Sequence, residues 1–362
     1  MKFKSKFKSK FKSKLLVTLL TSSTSFGAFA CATCGCALSS DAAMGYSSGA
    51  GWSVSAQYDF INQNQLRSGT GTFSQSQLAN LNNTTQLGQE VENQTINRYL
   101  TLGVGYAPNA DWNFKLFVPY VDRTHTTYGP AETDTSLPAS NISGAQVSGI
   151  GDIKLITSFQ GILPTHNLGV QLGVKLPTGN YGGQNNANGI TQSKNPTLFS
   201  TGPYASAGQM LDTSLQAGNG STDVILGGYY YQAISQNFDA FVNGQFQGSI
   251  AQKLNQIGSD YRPGDSANLS FGVRYEADPQ LVPQLQVNVT HKAADQGTPG
   301  ASADTTDTGG TVVYLSPGVS APIDTKHSSH VYAFLQLPVY SKLDGYQLFP
   351  HWTASVGLTH AF

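Results

Sequence analysis

The sequence predicts an all-β fold, an antiparallel transmembrane barrel of about 12 strands. Three observations predict it: a shortage of charge, recurring two-residue alternation, and connections that run long and short by turns. Charged residues are 11% of the 362, against roughly 25% in ordinary soluble domains. Hydrophobic residues stand at 39% and aromatics at 10%, with 39 glycines. Disordered chains are highly charged and poor in aromatics, and coiled coils are rich in Ala, Glu, Lys and Leu. A net charge of −1 offers no basic footprint for nucleic acid. No segment approaches 18 uninterrupted apolar residues, so helical spans are not expected.

Seven of the 20 basic residues are Lys2, Lys4, Lys6, Lys8, Lys10, Lys12 and Lys14, in a threefold Lys-Phe-Lys-Ser repeat. An uncharged, mostly apolar stretch from Leu15 follows and ends in Ala28-Phe29-Ala30. Charged, apolar, then small-x-small is the order of a secretory signal peptide, so residues 1–30 are read as one. Cleavage after Ala30 leaves 13 basic residues against 21 acidic ones, a net charge of −8. Residues 31–50 form a Cys-containing, Gly/Ser-rich periplasmic segment, and residues 51–362 the barrel.

Leu168-Gly-Val170-Gln-Leu172-Gly-Val174, Leu269-Ser-Phe271-Gly-Val273 and Leu285-Gln-Val287-Asn-Val289 each put their apolar residues on one face of a strand. The same reading along the chain gives strands near 51–61, 97–108, 111–125, 151–163, 166–179, 221–234, 238–250, 267–277, 281–293, 310–322, 329–341 and 350–362. Long connections at 62–96, 126–150, 180–220, 251–266 and 294–309 alternate with short turns such as Asn109-Ala110 and Asp278-Pro279-Gln280, and a last loop covers 342–349. That is the plan of a Gram-negative outer-membrane barrel, with tight periplasmic turns and long external loops. Eleven residues at roughly 3.4 Å each, tilted by about 45°, match the apolar band of such barrels. A secreted β-sandwich would also alternate, but its second face usually carries charge, whereas here it is Gly, Ser, Thr, Gln and Asn. Trp52, Trp112 and Trp352 sit at strand starts, where an interfacial girdle places aromatics. The chain ends in an amphipathic strand closed by Phe362, which resembles the insertion signal read by the outer-membrane barrel assembly machinery, with His360 a departure from it.

Val118-Pro119-Tyr120, Gly149-Ile150-Gly151-Asp152, Leu176-Pro177-Thr178-Gly179-Asn180-Tyr181 and Gly220-Ser221-Thr222-Asp223 occur in this order in a family that the chain resembles over about residues 99 to 250. It is the outer-membrane β-barrel family named for the meta-pathway of phenol degradation. The resemblance implies a channel that passes small organic, including aromatic, molecules. Physically, Gly151-Asp152 and Pro177-Thr178-Gly179 are expected at strand ends facing the long loops, where Gly and Pro turn the chain.

If apolar residues face lipid, the opposite faces line the lumen. That places Lys115, Lys154, Lys175, Arg274 and Lys292 inward, with Asp59, Asp152, Asp239 and Glu276 as the inward acids. The bases either bias the pore towards anions or pair with the acids and brace a narrow barrel. The external loops hold 11 acids against five bases. Cys31, Cys34 and Cys36 are the only cysteines and follow the cleavage point directly. A Cys31–Cys34 disulfide, a Cu(I) or Zn site completed from elsewhere, and a lipid anchor on Cys31 all remain open. Catalysis has little support: Gly45-Tyr46-Ser47-Ser48-Gly49 spells G-x-S-x-G without the strand-turn-helix of a nucleophile elbow. The expectation is a channel, not an enzyme, passing a small solute passively across the lipid bilayer without a cofactor. Loop 180–220 is the candidate constriction. The alternative is a barrel that anchors the Cys segment for a periplasmic metal or thiol partner.

Overall fold

The computed structural model describes residues 50–129, 132–185, 191–256, 258–298, 303–325 and 328–362. The expected signal peptide, the cysteines and the Gly45–Gly49 motif lie outside them. Thirteen strand segments form one antiparallel sheet, and the last pairs with the first to close a ring. We number the staves β1 (Gly51–Gly69), β2 (Glu92–Ala107), β3 (Trp112–Thr127), β4 (Ser143–Ile150 continuing as Ile153–Phe159), β5 (Leu168–Leu176), β6 (Ser221–Ala233), β7 (Phe238–Gln252), β8 (Ser266–Tyr275), β9 (Val282–Lys292) and β10 (Gly310–Pro322). The closing segment, Ser329–Ala361, has 33 residues and doubles back on itself. Its first arm pairs with β10 up to Leu343 and its second with β1. Ala361 N donates to Ser328 O at 2.8 Å, and Gly345 turns the chain at φ 60°. These arms are β11 (329–343) and β12 (346–361). Counted by segments the ring has 11 members, and counted by passes across the wall it has 12, with Gly71–Phe73 as a short extension beside β1.

The alternation in the sequence becomes the two faces of the wall. Along β9, Val282, Gln284, Gln286, Asn288 and Thr290 are buried, while Pro283, Leu285, Val287 and His291 are exposed. Leu102, Leu172, Leu226, Phe271, Leu285 and Val356 all point outward. Each would cost about 1.5–3 kcal/mol to leave in water, and a hydrocarbon surround removes that cost. Trp52 and Trp112 stand outward near the turn end, Trp52 against Tyr106 and Trp112 against Phe159. Phe362, 73% exposed, closes the seam as its N–H donates to Trp52 O. No described helix is long and apolar enough to cross a membrane.

Inside, glycines admit aromatic rings from the adjacent stave. Gly169 faces Tyr229, Gly272 faces Phe241 and Gly318 faces Phe334 in register, and a Cβ on any of the three would collide with the ring. Gly357 and Tyr332 repeat this across the β11–β12 hairpin. An aromatic laid over a bare backbone restores packing where the wall must curve.

Four expectations are corrected. The staves run further at the loop end, so β1 reaches Gly69 instead of residue 61. There the outer residues include Asn62 and Asn64, because beyond the bilayer neither face need be apolar. The last loop, expected over 342–349, is the turn at Asp344-Gly345. Gly151-Asp152 does not end a strand but breaks β4, whose upper part pairs with β3 from Ile150↔Tyr120 to Ser143↔Thr127 and whose lower part pairs from Lys154↔Phe117 to Phe159↔Trp112. The extra residue reverses the phase, so Ala145 and Val147 face inward before the break and Lys154 and Ser158 after it. Finally, the turn expected at Pro164-Thr165 spans 160–167.

Candidate functional site

Within the loop-ward half of the ring lies a cavity of about 440 Å³, a size usual for small-molecule sites. Its lining comes from opposite sides of the barrel: Gln57 and Asp59 on β1, Tyr99 and Thr101 on β2, Lys154 on β4, Asp223 on β6, Gln245, Gln247 and Ser249 on β7, Asn268 on β8, and Thr290 and Lys292 on β9. Asn219, Pro263 and Gly264 add loop backbone. No aliphatic side chain of Leu, Ile or Val lines it. Tyr99, two prolines and the aliphatic stems of its polar side chains supply apolar surface nearly equal to the polar, so the cavity offers hydrogen-bonding groups beside apolar contact.

The expected lumenal charges divide into groups. Lys175, cross-strand neighbour of both Lys154 and Asp223, is saturated: its Nζ lies 3.2 Å from Asp152 and from Asp223 and donates to Asn219 Oδ1 at 2.6 Å and Ser221 Oγ at 2.8 Å. Asp152 in turn accepts from Gly179 N and Asn219 N, tying the break in β4 to the loop after β5. Lys154 makes no ion pair among the described residues, and it faces the cavity beside this cluster. Lys292 is bound to buried Asp295 at 2.6 Å. Asp59 accepts from Ser355 Oγ at 2.6 Å and Gln57 Nε2 at 2.9 Å. Arg274 pairs with Glu276 at 2.9 Å opposite Asp239, near the turn end and away from the cavity. Lys115 faces inward on β3, between Gly105 and Ile156 in register, also outside the cavity lining. The structure therefore brings Asp59, Lys154 and Lys292 to one cavity with Lys175 just behind it. Bracing by acid pairing describes Lys175, Lys292 and Arg274, and Lys154 is the exception.

Sequence reasoning missed Arg123 and His125, which continue the inward phase of β3 above its apolar stretch. Arg123 joins the wall to the loop after β5: its guanidinium donates to Asn97 Oδ1, to Tyr99 Oη at 2.6 Å and to the Leu215 carbonyl. That loop folds inward as expected. Phe199, Tyr204, Leu211 and Leu215 pack on the inward side chains of Val121, Ala145 and Val147. At the mouth α1 (Gln75–Thr85) buries Leu78 and Ala79 against Leu66 and Val91; the inward loop includes a short helix, α2 (Gly202–Ser206), and Asn82 of α1 and Tyr204 of α2 both hydrogen-bond to Glu132. Ser74 caps α1 through a reciprocal capping box with Gln77, which satisfies orphan N–H groups at the helix start.

Acidic groups under this lid are unusually sheltered. Burial, then the neighbouring charge of Glu90, pushes the Glu132 carboxyl up, while Tyr204 Oη donates to it at 3.4 Å. Burial raises Asp212 to about 8 although Ser214 hydrogen bonds oppose the shift, with Asp304 and Asp295 adding to it. Asp304 rises to about 7 through burial and then the charge of Asp307. Among the described residues no group of three or more His, Cys, Asp or Glu is placed to hold a metal ion.

With this geometry, an outer-membrane channel of Pseudomonas putida superposes with a TM-score of 0.56 at 11% identity, covering 87% of this chain and 96% of that one. The fold is that of an outer-membrane β-barrel. The β domain of the Bordetella autotransporter BrkA follows at a TM-score of 0.44 and 10% identity, covering 87% and 100% of the two chains. The toluene transporter TbuX of Ralstonia pickettii gives 0.42 at 12% identity, covering 94% and 96%. No protein-family model and no curated protein sequence matches the chain.

Proposed function

We propose that this barrel is an outer-membrane channel through which small organic solutes pass passively, with the turn end in the periplasm. The observation that carries the reading is the polar cavity of about 440 Å³ held inside an apolar outer belt. Twelve passes give a bore between the filled eight-stranded barrel and the water-filled sixteen-stranded porin, and the inward-packed loop after β5 narrows it further. The sequence resemblance to the family named for the meta-pathway of phenol degradation supports aromatic compounds among the solutes. In this reading Phe362, outward at the closing seam, serves as the signal for membrane insertion. Conduction would need no cofactor. The purified protein in planar bilayers is expected to show discrete conductance steps, enlarged when residues 196–217 are replaced by a short linker. Silence from both proteins, each shown to be folded and inserted, would overturn the channel reading.

A further inference from the structure

The acids beside the cavity are engaged, and one base is not. Asp223 accepts from Ser221 Oγ at 2.5 Å and from Gln247 Nε2 at 2.6 Å besides pairing with Lys175. Asp152 is held by Lys175, Gly179 N and Asn219 N. Asp59 accepts from Ser355 Oγ and Gln57 Nε2, and Asp295 binds Lys292 and accepts from Tyr261 Oη. Lys154, half-buried on the cavity wall, makes neither an ion pair nor a hydrogen bond among the described residues. An ammonium carries three N–H donors, and sheltering it from bulk water without an acceptor is costly. A second open pair faces the same space. Gln245 on β7 and Asn268 on β8 are cross-strand neighbours that line the cavity, and neither side chain has a hydrogen-bond partner among the described residues. Both are only half-buried, which leaves them surface for a ligand. Tyr99, Pro119 and Pro263 add apolar contact.

We propose that the cavity recognises organic carboxylates in transit: Lys154 Nζ takes the carboxylate, while Gln245 and Asn268 take hydroxyl or carbonyl groups on the solute's body. The proposal rests on the channel reading and names its solute class. Lys154 and Lys175 together balance Asp152 and Asp223, so an entering anion meets no net repulsion from this wall. The contact with Lys154 then decides, because a hydrogen bond between an ammonium and a carboxylate is roughly twice as strong as one between neutral groups. A neutral solute of the same shape keeps the amide contacts and loses that bond. A cationic one brings like charge against Lys154.

The full-length protein in planar bilayers tests this through the block of its KCl current, at neutral pH, by three solutes of one shape: 4-hydroxybenzoate, 4-hydroxybenzamide and 4-hydroxybenzylamine. The carboxylate is expected to block at a concentration about tenfold lower than the neutral amide, and the amine at no lower a concentration than the amide. Lys154→Gln, checked for the heat-modifiable gel mobility of a folded barrel, should bring carboxylate and amide together. Lys154→Arg, which keeps the charge, should preserve the wild-type order. The proposal is overturned if the three solutes block alike, if the amine blocks best, or if folded Lys154→Gln keeps the wild-type order. Absence of any current from folded, inserted protein overturns the channel reading, and this proposal with it. Should Lys154→Gln not fold, the comparison of the three solutes on the wild-type protein decides alone.

Discussion

Lys154 and Lys175 are neighbours in register with different duties, and the difference comes from their partners. Lys175 neutralises Asp152 and Asp223 at 3.2 Å each, with its side chain 5% exposed. Lys175→Met leaves two sheltered carboxylates facing each other, and removing one partner from such a cluster costs about 3–5 kcal/mol. A lower urea midpoint for loss of heat-modifiable mobility is the expected result. Lys154→Gln, by contrast, should leave that midpoint within about 1 kcal/mol and shift the reversal potential in a KCl gradient towards cation preference. An unchanged potential would show that Lys154 does not set the field in the bore. A third residue-scale outcome concerns Gly318, where a side chain has no room beside Phe334. Gly318→Val is expected to destabilise the folded barrel by about 1–3 kcal/mol, the usual cost of overpacking, measured by the same unfolding midpoint.

Single elements were legible in proportion to how much lipid they meet. β9 reads off the sequence because Leu285, Val287 and Val289 must be apolar and their neighbours need not be. The upper part of β4 does not, since Gly144, Gln146 and Ser148 lie above the belt and nothing forces them to be apolar. Asp344-Gly345 is a strong hairpin dipeptide, but its flanks, Ser341-Lys342 and Tyr346-Gln347, carry no lipid-facing pattern to mark them as strand. Inward packing of Phe199, Tyr204, Leu211 and Leu215 on β3 and β4 depends on contacts distant in sequence. The expected loop was therefore found, but not its anchor Arg123. Docking of this lid should depend on pH. Asp212, within the lid, has its carboxyl raised by burial, so the docked state favours its protonated form. Docking stability is fully present below about 4, the ordinary aspartate value. It is lost as pH rises through about 8. Protease cleavage within 196–217 in the reconstituted protein is expected to be several-fold faster at pH 9 than at pH 5, and equal rates would refute this account.

For the whole molecule, the scarcity of charge follows from the barrel: outward faces meet hydrocarbon, and most inward positions are Gln, Asn, Ser, Thr or Gly. The inward facing of the lumenal charges was legible from alternation, but their pairing was not, because it depends on register between staves. The break in β4 has a wider effect. Below it, β4 pairs on both sides, with β3 and β5. Above it, among the described residues, the segment Ser143–Ile150 has a strand partner only in β3, and its other edge is met by Gly144↔Thr201 and by Ser200 N donating to Gly144 O at 2.8 Å. The lid is thus also masonry, filling a notch in the rim that no stave fills. A protein shortened at 196–217 would expose a raw sheet edge, a template for joining a second barrel. Dimers should appear alongside the larger conductance, and channels from such a variant need to be counted one barrel at a time.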